Sequence, residues 1–299
     1  MTKLLKDLYR DHSGKVSDKW SLYLDLYDEK LNNYRLLPIK LFEIGILNGG
    51  SLEIFAEYFT KAKLILGCDI DTKCEQLKYK NSNIKLIIGD ANKQEIKDKI
   101  TKYSKFDIII DDGSHNSIDV VSSFSNYFNH LEEGGLYIIE DLHCSYWQEH
   151  GGGLFYPISS INFFKKLIDI LNYEHWGVEK KKDWLLKGFS TNYKIEVSNI
   201  QFDQIHSIEF INSMCFITKK KSDYNVLGKR IITGVDATVV EDRKKLDNTK
   251  SETLNQSSNP WSNKNYLPEE ELVLYQKEIE KIEKKNIELE EEKKILKKK

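Results

Sequence analysis

Between residues 40 and 219, short apolar runs alternate with longer polar stretches of helical period. KLFEIGI is followed by LEIFAEYF. KLILGCDI and NIKLIIG come next, the latter leading into a charged stretch that ends near Ile100. FDIIID, SIDVVSSFSNYFNHL and GLYIIED complete the series. Runs this short and this uniformly apolar suit strands buried on both faces, joined in parallel by helical crossovers. The expected fold is therefore α/β, a doubly wound, Rossmann-like sheet of seven strands. After a helix around 159–173, two more strand-like runs occur near 205–210 and 214–218, with a turn at Asn212-Ser213 between them. A link that short closes only an antiparallel hairpin, so the sheet should end in one.

The pattern divides the chain into four expected parts. Residues 1–38 form an N-terminal helical segment, in which Trp20, Tyr23, Leu24, Tyr27 and Leu31 recur at helical spacing. Residues 39–221 form the α/β domain. Residues 222–268, rich in Asn, Ser, Thr and Lys, read as a polar linker. In 269–299, Leu272, Tyr275, Ile279, Ile282, Asn286, Leu289, Lys293 and Leu296 alternate spacings of 3 and 4. That seam predicts a C-terminal helical extension, a coiled coil through which the chain forms a homo-oligomer, with Asn286 fixing register. The Lys-rich end reads as the front part of a longer architecture.

Bulk charge narrows the partners. With 45 basic and 47 acidic residues the net charge is −2, so there is no electrostatic case for nucleic acid or an anionic membrane. Cys68, Cys74, Cys144 and Cys215 form no C-x-x-C pair and suit neither a zinc site nor a disulfide framework. The first residues are too charged for a signal peptide, and no stretch has the length of a membrane span. A soluble, cytoplasmic protein is expected.

The first strand ends in Glu43-Ile44-Gly45, and a helix opens after Gly49-Gly50-Ser51. In an open α/β sheet, ligands bind beyond the carboxyl ends of the strands. Glycines there let the backbone approach a ligand, and the helix N-terminus offers free N–H groups. The spacing is not G-x-G-x-x-G, which disfavours a dinucleotide. Glu43 suits a cationic ligand better than a phosphate. Asp69, with Asp71 next, ends the second strand, where an acid accepts ribose hydroxyls. Gly89-Asp90-Ala91 ends the third, where an adenine edge would lie. The ordered set predicts an S-adenosylmethionine site built from Glu43, Gly45, Asn48, Gly49, Ser51, Asp69, Asp71, Asp90 and Ala91. Asp111 stands on the cofactor side as a structural acid or cap.

The fourth strand delivers Asp111-Asp112-Gly113-Ser114-His115, and the fifth Glu140-Asp141-Leu142-His143. Adjacent strand ends bring Asp112, Glu140 and Asp141 together, and such carboxylates raise one another's pKa unless something neutralises them. A hard divalent cation, Mg²⁺, is the simplest neutraliser for all-oxygen ligation. It would bind a substrate hydroxyl, and His115 would take the proton as general base. His143, Tyr146 and Trp147 are expected on the acceptor, with Phe155 and Tyr156 extending an aromatic loop that closes over a sugar face.

These motifs carry a resemblance. EIGILNGGS, CDID, DDGSH, IEDLHCSYW and Gly151-Gly152-Gly153 resemble the class I S-adenosylmethionine-dependent methyltransferases. More narrowly, they resemble the metal-dependent O-methyltransferases of macrolide- or polyketide-linked deoxysugars and rhamnosyl groups. Ser17-Asp18-Lys19 with Tyr23 and Tyr27, and the hairpin IHSIEFINSMCFITKK, resemble that family's N-terminal segment and closing strands. The resemblance implies Asp112, Glu140 and Asp141 as Mg²⁺ ligands and His115 as the base. Trp20-Ser21-Leu22 stands where the family often carries a histidine, and Glu209-Phe210-Ile211 where its hairpin often reads His-Phe-Tyr. The implied function is O-methylation of a sugar hydroxyl on a polysaccharide or glycosylated metabolite. The alternatives are an O-methyltransferase for a catechol-like molecule, and a non-catalytic cofactor-binding scaffold assembled by the coiled coil.

Overall fold

The structure, a computed structural model, describes residues 3–265 and 267–296, without the side chains of 268–270 and 295–296. The expected seam side chain of Leu296 and residues 297–299 lie outside that set.

Helices α1 (Leu5–Asp11) and α2 (Ser21–Leu31) precede the sheet. The N-terminal segment thus holds two helices, and residues 12–20 between them bond to a neighbouring element. Val16 O accepts from Gly50 N at 3.2 Å, and Lys15 Nζ pairs with Glu53 at 2.5 Å. Trp20 sits just before α2 and is 59% exposed, while Leu26, not Leu24, joins Tyr23, Tyr27 and Leu31 in the core.

The strands are β1 (Lys40–Ile44), β2 (Leu64–Asp69), β3 (Ile84–Ile88), β4 (Phe106–Asp111), β5 (Leu131–Ile139), β6 (Ile205–Ile211) and β7 (Met214–Lys219). They form one sheet in the order β3-β2-β1-β4-β5-β7-β6. The first five lie parallel, and β7 runs antiparallel to both β5 and β6. Helices α3 (Gly50–Tyr58), α4 (Gln94–Thr101), α5 (Ser117–Tyr127) and α6 (Ser160–Leu171) cover the two faces. Strand β4 shows why its run is continuously apolar. Ile108 and Ile110 pack with α1, α2 and α3 on one face, and Ile109 packs with Phe124 and Phe163 on the other. A short helix, α7 (Lys187–Tyr193), follows α6, and α8 (Pro268–Leu296) ends the described chain. On α8 the seam residues Leu272, Tyr275, Ile279, Ile282 and Leu289 are exposed. No helix among the described residues is long and apolar enough to cross a membrane.

The chain leaves β3 at one edge and returns as β4 beside β1, which places the topological switch between β1 and β4. Register then decides what meets there. Ile44 lies level with Cys68 and Asp111, and Asp111 with Ile139. The bonds Gly45 N to Cys68 O, Asp112 N to Ile44 O and Glu140 N to Asp111 O, at 2.8–2.9 Å, carry the ladder one step past the strands. Gly45, Asp69, Asp112 and Glu140 therefore share one end of the sheet.

Candidate active site

These ends wall a cleft of about 630 Å³. Gly45 holds φ +80°, and a Cβ there would fall 2.1 Å from the Asp112 carbonyl oxygen. Only glycine lets the first turn lie against the fourth. Gly45→Ala should displace one of these backbones and raise the Kd for S-adenosylhomocysteine at least about tenfold, measurable by calorimetry, given the ~1–3 kcal/mol cost of such strain.

Asp69 lines the cleft and braces the same turn. Its Oδ2 accepts from Ile46 N and Leu47 N, and its Oδ1 from Asp71 N, all at 2.9 Å. Asp90 and Ala91 line the cleft further along. Asp111 lines it too. This side chain is 3% exposed, burial pushes its pKa up to about 7, and its Oδ2 has no hydrogen-bond partner among the described residues. A buried acceptor without a partner is rare in a folded protein and needs a reason of its own.

The other expected cofactor residues stand behind that wall. Glu43 is fully buried and accepts from Ser51 Oγ at 2.6 Å. Burial raises its pKa to about 7 against the pull of Lys19. Gly49 backs onto the Tyr79 hydroxyl, Asp71 caps the turn after β2 through Lys73 N, and Asn48 is exposed. None of Glu43, Asn48, Gly49, Ser51 and Asp71 lines the cleft. They shape the turn.

Toward β5, Asp112, His115 and Asp141 each bring a ligand atom to within 4.8 Å of the others. His115 Nε2 lies 4.0 Å from Asp112 Oδ1 and 3.5 Å from Asp141 Oδ2. His115 and Asp141 hold φ +56° and +52°, left-handed conformations that cost energy outside glycine and that cluster at functional sites. Burial lowers the His115 pKa and the two carboxylates only partly restore it, so the ring is neutral near pH 7 and can accept a proton. The two carboxylate oxygens suit a hard divalent cation, and the imidazole nitrogen beside them is a softer donor, free to accept a proton.

Glu140 lies outside that group. It is 2% exposed and accepts from the Tyr27 hydroxyl and from Lys19 Nζ at 2.9 Å. Burial raises its pKa while Lys19 opposes. Lys19 also bonds Asp112 Oδ2 and lies 3.9 Å from Glu43. Burial would discharge this lysine, but Glu140, Asp112 and Glu43 outweigh it and hold the ammonium charged. The acids thus converge on a protein cation that spacing alone did not single out. Nothing in its local sequence separates Lys19 from the other basic residues; only the Ser17-Asp18-Lys19 resemblance touches it.

Beside the acids runs a row of rings. Trp20 and His143 have centroids 6.2 Å apart, His143 and Trp147 4.9 Å, Trp147 and His150 6.0 Å, and His150 and His115 6.5 Å. Trp147 is half exposed, and Tyr146 beside it is also open to solvent. His143 bonds the Ser213 hydroxyl in the β6–β7 turn, which Tyr23 OH also bonds at 2.7 Å. The sequence pattern places Trp20 only on a helix face and at the family's histidine position, and gives His150 no role; neither points to this row.

No protein-family model matches this chain. Curated relatives do. Demethylmacrocin O-methyltransferase of Streptomyces fradiae is 33% identical over 187 residues, 58% of this chain and 46% of the relative. Mycinamicin VI 2''-O-methyltransferase of Micromonospora griseorubida is 35% identical over 159 residues, 50% of this chain and 39% of the relative. A third, 8-demethyl-8-alpha-L-rhamnosyl tetracenomycin-C 2'-O-methyltransferase of Streptomyces olivaceus, is 32% identical over 171 residues, 54% and 44% of the two chains. This chain spans less than half the length of each. Among solved structures, the MycE methyltransferase in complex with Mg, SAH and Mycinamycin VI superposes with a TM-score of 0.60. It is 26% identical, over 82% of this chain and 58% of MycE. The chain has the α/β Rossmann-like methyltransferase fold with its closing antiparallel hairpin, and it resembles the sugar O-methyltransferases among class I S-adenosylmethionine-dependent enzymes.

Proposed function

We propose that this chain is an S-adenosylmethionine- and Mg²⁺-dependent O-methyltransferase acting on a sugar hydroxyl of a glycosylated molecule. One observation carries the proposal: Asp112, His115 and Asp141 converge within 4.8 Å in the same cleft as the Gly45 turn and Asp69. The likeness to MycE, whose structure holds Mg, SAH and Mycinamycin VI, supports the same assignment.

Each part of the cleft then has a task. Asp69, Asp90 and Ala91 face the adenosyl group, with Asp111 on the same cleft wall. Asp112 and Asp141, whose carboxylates lie beside His115, would hold the cation. Mg²⁺ bound there supplies Lewis acidity that lowers the pKa of the acceptor hydroxyl. His115 Nε2 takes the hydroxyl proton as that oxygen attacks the methyl carbon, the methyl–sulfonium bond breaks and S-adenosylhomocysteine leaves with the electron pair; the rest of the work is alignment. The ring row from Trp20 to Trp147 receives the sugar face, since pyranoses present C–H groups that pack on aromatic rings.

The test is a panel of acceptors incubated with S-adenosylmethionine and read by mass spectrometry. A deoxysugar glycoside should gain one methyl group and a catechol none; methylation of the catechol alone would defeat the sugar assignment. Trp147→Ala should raise the acceptor KM about tenfold, as expected when binding shared by ground and transition states is removed, with kcat little changed. An unchanged KM would place the acceptor elsewhere.

A further inference from the structure

Helix α8 has one side on the α/β domain and the other in solvent. Near its start Val273, Leu274 and Lys277 share with Ile158, Leu185 and Phe189 the walls of a cleft of about 280 Å³. With Leu272 at an a position, these three fall at b, c and f, the side opposite the a/d seam. The seam residues Leu272, Tyr275, Ile279, Ile282 and Leu289 are each 44–60% exposed. The polar segment before α8 holds the helix this way round. Thr253 Oγ1 donates to the Glu174 carbonyl at 2.7 Å, Gln256 N to the Gly177 carbonyl at 2.8 Å, and Lys180 Nζ to the Lys264 carbonyl, while Leu267 is buried. The contact is close, since a Cβ on Gly177 would fall 2.1 Å from the Leu254 carbonyl oxygen.

We propose that the outward seam of α8 pairs with the same seam of a second copy of this chain, as a parallel, in-register, two-stranded coiled coil. Asn286 argues for that register. In a parallel pair, a faces a, so the two Asn286 amides meet and hydrogen-bond. In an antiparallel pair, a faces d, and the amide would lie unpaired among Ile and Leu. Charge points the same way. The e positions are Gln276, Glu283 and Glu290, so an antiparallel pair, which sets e against e, brings acids together. A parallel pair sets e against g, and Glu290 of each copy meets Lys285 of the other. The same register opposes Glu278 to Glu283, a solvent-exposed contact that salt screens. Lys293, also in the seam, lies 2.9 Å from Glu290 of its own chain, which draws its ammonium toward the e side. The pairing is independent of the chemistry in the cleft.

Sedimentation equilibrium of the full chain over a range of loading concentrations tests this. Wild type should reach twice the chain mass. Ile279→Asp combined with Ile282→Asp should raise the dimer Kd at least about hundredfold, because each charge would be buried unpaired. Lys284→Asp, at an outer f position, should keep the dimer, which separates loss of the seam from general damage to the helix. Asn286→Ile should tighten association at least about tenfold and admit larger assemblies. Leu289→Cys should form an interchain disulfide with oxidised glutathione, a clean readout because Cys68, Cys74, Cys144 and Cys215 are all buried. A monomer at every loading, a double Asp variant that still dimerises, equal loss in Lys284→Asp, looser association in Asn286→Ile, or failure of Leu289→Cys to cross-link would overturn the proposal.

Discussion

Replacing His115 with asparagine should lower kcat by about 10²–10⁴-fold, the range of a lost general base. The variant is chosen for the backbone. His115 sits at φ +56°, a conformation asparagine tolerates better than most residues, so the loop after β4 should persist. What disappears is the imidazole nitrogen 3.5–4.0 Å from the two carboxylates. The Kd for S-adenosylhomocysteine should stay within about threefold of wild type, because no expected cofactor contact is removed. Steady-state kinetics with calorimetry on the same preparation separates these effects. Full kcat in His115→Asn would remove that residue from the proton transfer.

Asp141→Asn should act on the cation and not on the cofactor. The substitution keeps the size of the side chain and suits φ +52°, but it removes the negative charge that His115 and the Tyr23 and Trp20 donors surround. The Mg²⁺ concentration needed for half-maximal rate should rise at least about tenfold. Saturating Mg²⁺ should recover part of the rate, because Asp112 Oδ1 remains. A fall in rate with no change in Mg²⁺ requirement would mean that Asp141 positions the acceptor through its own hydrogen bonds.

Strand-level organisation was legible because it follows from local patterning. FDIIID is buried on both sides, and β4 duly packs Ile108 and Ile110 against one face and Ile109 against the other. The hairpin followed from the shortness of its turn. Asp112, His115 and Asp141 were legible as strand-end residues, since strand order alone brings β4 and β5 side by side. Lys19 was not, because its role depends on contacts across 93 residues of chain to Asp112. The same is true of Trp20, which the helical period assigned to a core face and which instead caps the approach to Asp141. Period 3.6 reports which side of a helix is apolar; it does not report where a helix begins when the strap before it is bound to another element. Glu43, Ser51 and Asp71 show the converse. Their spacing marked the cofactor turn, yet their side chains are used in building it.

The proposed reaction in this cleft is methyl transfer to a metal-held sugar oxygen. Methyl transfer from labelled S-adenosylmethionine to a deoxysugar glycoside, by enzyme stripped with EDTA and then given Mg²⁺, tests it most directly. No label should reach the glycoside after stripping, and Mg²⁺ should restore transfer in full. Undiminished transfer by the stripped enzyme would contradict it.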